Sequence, residues 1–324
     1  MKNKYVTSFL ALLLFALSCG GCHRQKETGI KKVAIATLMT HPALDADIQN
    51  MKLELQSEGF KEGETIQYIV GNANGDPNLA VTVVRELDRQ NPAVLVPITT
   101  PVAQVAVKQA KSPIVFSAVT DPVGAGVVPS LNSPPAGITG VSDAWPYQAQ
   151  LNLARQIVPT AKRLAVVFNP GESASQYGIV RIREIAPTLG FDLVEVPVSN
   201  SQEILGALRL KIRSVDAVYL SSDNTVIEGM PAALSVCLDN KKPLFVGDSG
   251  TVEKGGLAAV SVGYAGVGRS TGRLVARMLR GERSIPVVVA NGDEIFLNLD
   301  TAKRIGLVIP ESVRQHATRI FGEQ

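Results

Sequence analysis

The chain spells one α/β pattern twice, and this repetition constrains its fold more than any other feature. Lys31-Lys32-Val33-Ala34-Ile35 matches Lys162-Arg163-Leu164-Ala165-Val166 at an offset of 131 residues, and Gly59-Phe60 matches Gly190-Phe191 at the same offset. Ala93-Val94-Leu95-Val96 pairs with Ala217-Val218-Tyr219-Leu220 at 124, and Pro113-Ile114-Val115-Phe116 with Pro243-Leu244-Phe245-Val246 at 130. Between these apolar runs lie stretches of helical spacing, such as Ile48, Met51 and Leu55 within 46–59. Near-continuous apolar strands alternating with helices predict parallel sheets covered on both faces, so the fold class is α/β with two similar doubly wound lobes.

The end of the chain departs from a simple tandem. A strand at 257–262, a helix at 266–280, a strand at 287–289 and a strand-helix stretch at 295–309 must complete both lobes. This predicts three chain crossings, near Ser142, Asp248 and Val288, that act as a hinge. The expected N-terminal lobe is 31–142 plus 249–287, and the expected C-terminal lobe is 143–248 plus 288–324.

The first residues set the expected compartment. Lys2 and Lys4 precede an uncharged apolar run at 8–17, which is too short to span a bilayer and has the length of a secretory signal. A bacterial lipoprotein signal needs a small residue before the cysteine whose sulfur takes the diacylglycerol. Ala16-Leu17-Ser18-Cys19 fits that need better than Cys19-Gly20-Gly21-Cys22. Residues 1–18 are therefore expected to be a lipoprotein signal peptide, with lipidation at Cys19 and Cys22 as the alternative. Residues 19–30 form a polar tether. The body is expected to be exported and lipid-anchored to the cell membrane or outer membrane, facing the periplasm or exterior. Cys237 is the one cysteine left in the body, which excludes an internal disulfide framework there. A chain with 45 % hydrophobic residues has ample core for two lobes, and a net charge of +3 is too small to suggest nucleic-acid binding.

In open parallel sheets, ligands sit beyond the carboxyl ends of the strands, where helix N-termini present unpaired N–H groups. The candidates are then His41 and Leu44 after the first strand, Thr99 and Thr100 after the third, and Thr120 and Asp121 after the fourth. The second copy adds Asn169, Glu172, Ser173 and Ser175, then Asp223 and Asn224, Asp248, and finally Tyr264. Each of these also reads as a helix cap or first-turn residue. Together they supply hydroxyls, amides and carboxylates with no Arg or Lys, which suits a zwitterion or neutral solute rather than a phosphate. Glu172, Asp223 and Asp248 are the expected partners of an ammonium. Phe116, Trp145, Tyr177 and Tyr264 are the aromatics available as apolar walls.

Several of these segments resemble the tryptophan/tyrosine-type substrate-binding proteins of ABC transporters. They are Asn169-Pro170-Gly171-Glu172-Ser173-Ala174-Ser175, Ser222-Asp223-Asn224-Thr225-Val226, Val246-Gly247-Asp248, Gly255-Gly256-Leu257-Ala258-Ala259, and Gly263-Tyr264 followed by Gly268 and Gly272. The resemblance runs from about Lys32 to Ile309. It implies a type I periplasmic-binding-protein fold with three crossovers, an ABC permease and its ATPase subunit as partners, and often an aromatic amino acid as ligand. Two positions depart from it: Gly263 stands where an acidic or polar residue is expected, and Gly247 where a serine is frequent.

No catalysis, cofactor or metal is expected. Gly247-Asp248-Ser249-Gly250 spells the surroundings of a serine-protease nucleophile, yet the chain has only His23, His41 and His316 as bases. An exported α/β hydrolase is the rival of a different class, and a ligand sensor of the same fold is the nearer one. The histidines and Cys237 offer no metal-ligand spacing. Arg269, Arg273, Arg277 and Arg280 share one helical face, read as solvated, with docking as the sharper option.

Overall fold

A computed structural model describes residues 29–322, so the signal segment, Cys19 and Cys22 lie outside the described residues. The first sheet holds β1 (Lys31–Thr37), β2 (Ile66–Asn72), β3 (Val94–Ile98), β4 (Ile114–Val119) and β5 (Ile138–Ser142). With β11 (Val288–Val289), its order is β11-β5-β4-β3-β1-β2, parallel throughout. The second sheet holds β6 (Arg163–Phe168), β7 (Asp192–Pro197), β8 (Ala217–Leu220) and β9 (Leu244–Phe245). It is completed by β10 (Ala258–Ser261), β12 (Glu294–Asn298) and β13 (Arg319–Phe321), in the order β13-β12-β10-β9-β8-β6-β7. Only the β10–β12 pair in it is antiparallel.

The helices that cover the first sheet are α1 (Pro42–Ser57), α2 (Pro77–Asp88) and α3 (Thr100–Gln109). The second sheet carries α4 (Tyr147–Ile157), α5 (Ser173–Ile185), α6 (Ile204–Lys211), α7 (Asn224–Glu228), α8 (Met230–Asp239) and α9 (Ser249–Glu253). The chain then returns to the first lobe as α10 (Tyr264–Leu279) and ends in the second with α11 (Leu299–Ile305) and α12 (Glu311–Arg314). Every residue of β3, β4 and β8 is buried, the signature of strands sandwiched between helix layers. Each sheet has an apolar cluster on either face; Ile35, Met51, Leu55 and Leu274 fill one of them. Complete burial of such a side chain contributes roughly 1.5–3 kcal/mol. Among the described residues no helix is long and apolar enough to cross a membrane.

The three crossings lie at 143–146, at 262–263 between β10 and α10, and at 290–293 between β11 and β12. The second differs from the expected break at Asp248. Strand β10 sits between β9 and β12, so 249–262 belongs to the second lobe. A strand-then-helix pattern reads the same in either lobe, and only sheet pairing decides it. Likewise β11 lies beside β5, which keeps Val288 and Val289 in the first lobe.

Helix α10 crosses α1 at a backbone-to-backbone approach. A side chain on Gly268 would strike the Asp47 carbonyl, and one on Gly272 would come within 2.8 Å of the Met51 carbonyl oxygen. The arginine face of α10 is largely paired: Arg273 with Glu54 at 3.1 Å, Arg277 with Glu282 at 2.5 Å and Arg280 with Glu58 at 2.8 Å. Charges neutralised in this way give no large basic surface for docking.

Candidate functional site

The strand ends of the two sheets face one another, and the loops beyond them line a small, half-open cavity of about 60 Å³. From the first lobe it is walled by His41, Leu44, Thr99, Thr100, Thr120 and Tyr264. From the second come Ser222, Asp223, Asn224 and Asp248, and from the first crossing Asp143 and Trp145. The lobes touch here through Thr120 Oγ1 and Ser222 Oγ at 3.4 Å. The cavity adjoins an outer cleft of about 780 Å³, with Met39, Thr100, Ala174 and Asn224 shared between them. Asn169, Glu172 and Ser173 line that outer cleft, where Gln104 Nε2 donates across the lobes to Ser173 Oγ at 3.1 Å.

Two expected residues lie in neither space. Asp121 accepts from the Gly124 N–H at 3.0 Å and closes its own exposed turn. Ser175 is fully buried beside Asp223. Of the expected aromatic walls, Tyr264 and Trp145 line the cavity, while Phe116 is buried in the first lobe's core and Tyr177 packs against Tyr147 with ring centroids 6.3 Å apart.

The three carboxylates expected to meet an ammonium are engaged by the protein. Glu172 Oε1 accepts from the Thr225 N–H and Oγ1–H at 2.9 and 2.7 Å, and Oε2 from the Asn224 N–H and Nδ2–H at 3.0 and 2.8 Å. It holds the N-terminus of α7 and has no acceptor capacity left. Asp223 accepts from the N–H groups of Val226 and Asn169 at 2.7 and 3.0 Å, tying two loops together. Asp248 accepts from the backbone N–H and hydroxyl of Thr251 at the start of α9.

The carboxylate that sequence reasoning missed is Asp143. Its Oδ2 accepts from the Tyr264 hydroxyl at 2.8 Å and its Oδ1 from Thr120 Oγ1 at 3.4 Å. Burial pushes it up to about 6, against the pull of those two hydroxyls. Asp223 is likewise pushed up by burial and then by the nearby Glu172. An incoming cation would reverse both effects. The signal for Asp143 was weak, because it follows Ile138-Thr139-Gly140-Val141-Ser142, which does not read as an apolar strand.

Two cavity residues adopt left-handed backbone: Thr99 at φ +80° and Ala118 at φ +53°. For a β-branched residue such as Thr99 this costs on the order of 1–3 kcal/mol. The strain is held by the Thr99 N–H to Ser117 O bond at 3.0 Å and the Ala103 N–H to Thr99 O bond at 3.0 Å. It leaves Thr99 Oγ1 without a partner where α3 begins, beside a helix end that favours negative charge. Two more buried polar atoms of the cavity wall, His41 Nε2 and Trp145 Nε1, also lack a partner in the protein. Buried polar groups are almost always hydrogen-bonded, and three of the nine unpartnered buried side-chain atoms among the described residues stand around this one cavity.

His41 Nδ1 accepts the Ala43 N–H at 3.3 Å and caps α1, which places the ring proton on Nε2. Burial pushes the imidazole pKa down, with Asp248 opposing. With Nδ1 occupied and Nε2 protonated, His41 has no free lone pair to act as a base for Ser249, and Ser249 is the first residue of α9. The glycines of that apparent motif have steric reasons instead. A side chain on Gly247 would collide with the Trp145 ring, and one on Gly250 would meet Pro42 Cβ at 3.0 Å and His41 Cε1 at 3.1 Å. Gly263 turns the chain at φ +54° against Glu294.

Residues 32–321 match the family model of the ABC transporter substrate binding protein. The chain belongs to that family. Its members bind solutes and are not enzymes. A curated relative described as a tyrosine-binding protein, from Clostridioides difficile strain R20291, is 30 % identical over 88 % of this chain and 84 % of its own length. A solved domain from Streptococcus pneumonia in complex with L-Trp is 28 % identical, with a TM-score of 0.86 over 90 % of this chain and 100 % of that one. A ligand-free, open substrate-binding protein with adhesive properties from Clostridium difficile is 31 % identical, with a TM-score of 0.70 over 91 % of this chain and 100 % of that one. The two-lobed fold is that of the type I periplasmic binding proteins.

Proposed function

We propose that this protein captures a zwitterionic amino acid with an aromatic side chain between its lobes and delivers it to an ABC permease driven by its ATPase subunit. In this reading it is an exported lipoprotein, held at the membrane through Cys19, or through Cys22 if the later cysteine is processed. The observation that carries the reading is the set of unpartnered buried atoms, His41 Nε2, Thr99 Oγ1 and Trp145 Nε1, around a cavity walled by both lobes. Thr99, Thr100 and the start of α3 suit an α-carboxylate; Asp143, backed by Asp223, suits the ammonium; Tyr264 and Trp145 offer flat apolar surface. The tyrosine-binding relative and the L-Trp complex support the ligand class.

Hinge closure follows from size and from likeness. About 60 Å³ is far below the roughly 300 Å³ or more of small-molecule pockets, so the lobes must part about the three crossings to admit and seat a ligand. The greater likeness to the L-Trp complex than to the open relative, despite lower identity, supports a closed arrangement here. Calorimetric titration of the soluble body with tyrosine, tryptophan and phenylalanine, against leucine, sugars and nucleosides, tests the proposal. Binding by the aromatic set alone is expected. A sugar that binds while all three aromatics stay silent would refute the ligand class.

A further inference from the structure

We infer that Asn291-Gly292, in the third crossing, is a site of spontaneous deamidation whose isoaspartyl product lengthens the hinge by one main-chain carbon and loosens it. The modification is independent of what the protein binds. Gly292 stands where the three crossings meet. A Cβ on it would lie 2.8 Å from Pro146 Cγ in the first crossing and 3.1 Å from Val262 Cγ1 in the second, so the hinge needs a residue without a side chain here. The same bareness leaves the Gly292 nitrogen an unhindered nucleophile. Asn291 before it is exposed, and among the described residues neither its side-chain amide nor the Gly292 N–H makes a hydrogen bond.

The chain carries its own control. Ala73-Asn74-Gly75-Asp76 and Ala290-Asn291-Gly292-Asp293 are the same four letters, so a difference in rate between them comes from the fold. At the first copy the Gly75 N–H donates to the Leu38 carbonyl at 2.8 Å, and Asn74 is held in left-handed backbone at φ +52° with its own N–H on Asn72 Oδ1 at 2.8 Å. Attack there must first break the bond to Leu38. At the second copy nothing holds the nucleophile. The Gly292 nitrogen gives up its proton to solvent base and bonds to Asn291 Cγ; the Cγ–Nδ2 bond breaks, and the amide leaves as ammonia with a proton from solvent. Water then opens the succinimide. Cleavage at the former Asn291 main-chain carbonyl leaves isoaspartate, and cleavage at Cγ leaves aspartate. Either product adds a carboxylate next to Asp293 and Glu294. In the isoaspartyl form the chain runs through Cβ and Cγ, which adds slack between Ala290, whose N–H is tied to Ser142 O at 2.8 Å, and Glu294, where β12 begins.

The experiment ages the folded protein at pH 6.5 and pH 8.5 and follows both Asn-Gly peptides by mass spectrometry, with enzymatic methylation of isoaspartate to separate the two products. Amide loss at Asn291 is expected to be about fivefold or more faster than at Asn74, faster at pH 8.5 than at pH 6.5, and to give mainly isoaspartate. Unfolding the protein in urea is expected to bring the two rates together, because the sequences are identical. Hydrogen exchange over 288–296 is expected to speed up in aged wild type and to stay unchanged in aged Asn291→Gln, whose longer side chain closes the corresponding ring far more slowly. Equal rates at the two sites in the folded protein, faster loss at Asn74, or no loss at Asn291 would overturn the site. Exchange that is unchanged in deamidated wild type, or that rises equally in Asn291→Gln, would overturn its effect on the hinge.

Discussion

At Asp47 a single carboxyl shows how burial becomes pH dependence. The residue is wholly buried in α1; Ser117 Oγ donates to Oδ2 at 2.7 Å, and Oδ1 has no partner. Burial, with Asp143 adding to it and Ser117 opposing, pushes the group up to about 7. In the unfolded chain the same carboxyl titrates near its ordinary value of 3.8. Between those values the native state keeps a proton that the unfolded state has released, so stability falls as pH rises through this window and stays lower above it. Asp47→Asn removes that loss. It is expected to stabilise the protein at pH 8 by on the order of 2 kcal/mol and by much less at pH 4.5. Thermal melts at the two pH values check this, and a gain larger at pH 4.5 contradicts it. Glu172 teaches the complementary lesson: at a strand tip a ligand carboxylate and a capping carboxylate read alike, and only its four donors reveal the second role.

Among the elements, the α1–α10 crossing has the least tolerance. Its two glycines stand one helical turn apart on α10 and let the backbones meet, which sets how far Tyr264, the first residue of α10, reaches toward the cavity. Gly268→Val would drive methyl groups into the Asp47 carbonyl, with an expected loss of about 3 kcal/mol or more in urea unfolding. Gly266 lies on the same helix with only the Arg269 guanidinium 3.8 Å away, so Gly266→Ala is expected to be neutral or to stabilise by up to about 1 kcal/mol. Equal losses at both positions would refute the close-approach account. The elements legible in the sequence were those with continuous apolar runs, such as β3 and β4. The thin β5 was not, and the strand expected from 295 carried no sign of its antiparallel direction, because both depend on the partners they lie beside.

For the whole molecule, the decisive surface is where one lobe's helix start meets the other's. The 41–43 turn at the head of α1 rests on Gly250 of α9, where a Cβ would stand 3.0–3.2 Å from Pro42, His41 and Ala43 atoms. Gly250→Val should act as a wedge. Aromatic amino acid affinity is expected to fall about tenfold or more, the melting temperature without ligand to stay within about 2 °C, and the ligand-induced contraction in small-angle X-ray scattering to disappear. Wild-type contraction and affinity in the variant would mean that closure does not proceed through this contact.

The sequence by itself determined the duplicated α/β architecture and the set of strand-tip loops, because hydrophobic periodicity and loop chemistry are local properties of the chain. Nine of the expected site residues, among them Thr99, Thr120, Asp223 and Tyr264, come together around one cavity for that reason. Tertiary structure alone decided which lobe owns β10, which carboxylates are spent as caps, and that Asp143 and Trp145 of the first crossing reach the cavity. Those outcomes depend on partners far apart in the chain, and a hydrogen bond or a clash between distant residues leaves no pattern in the order of the letters.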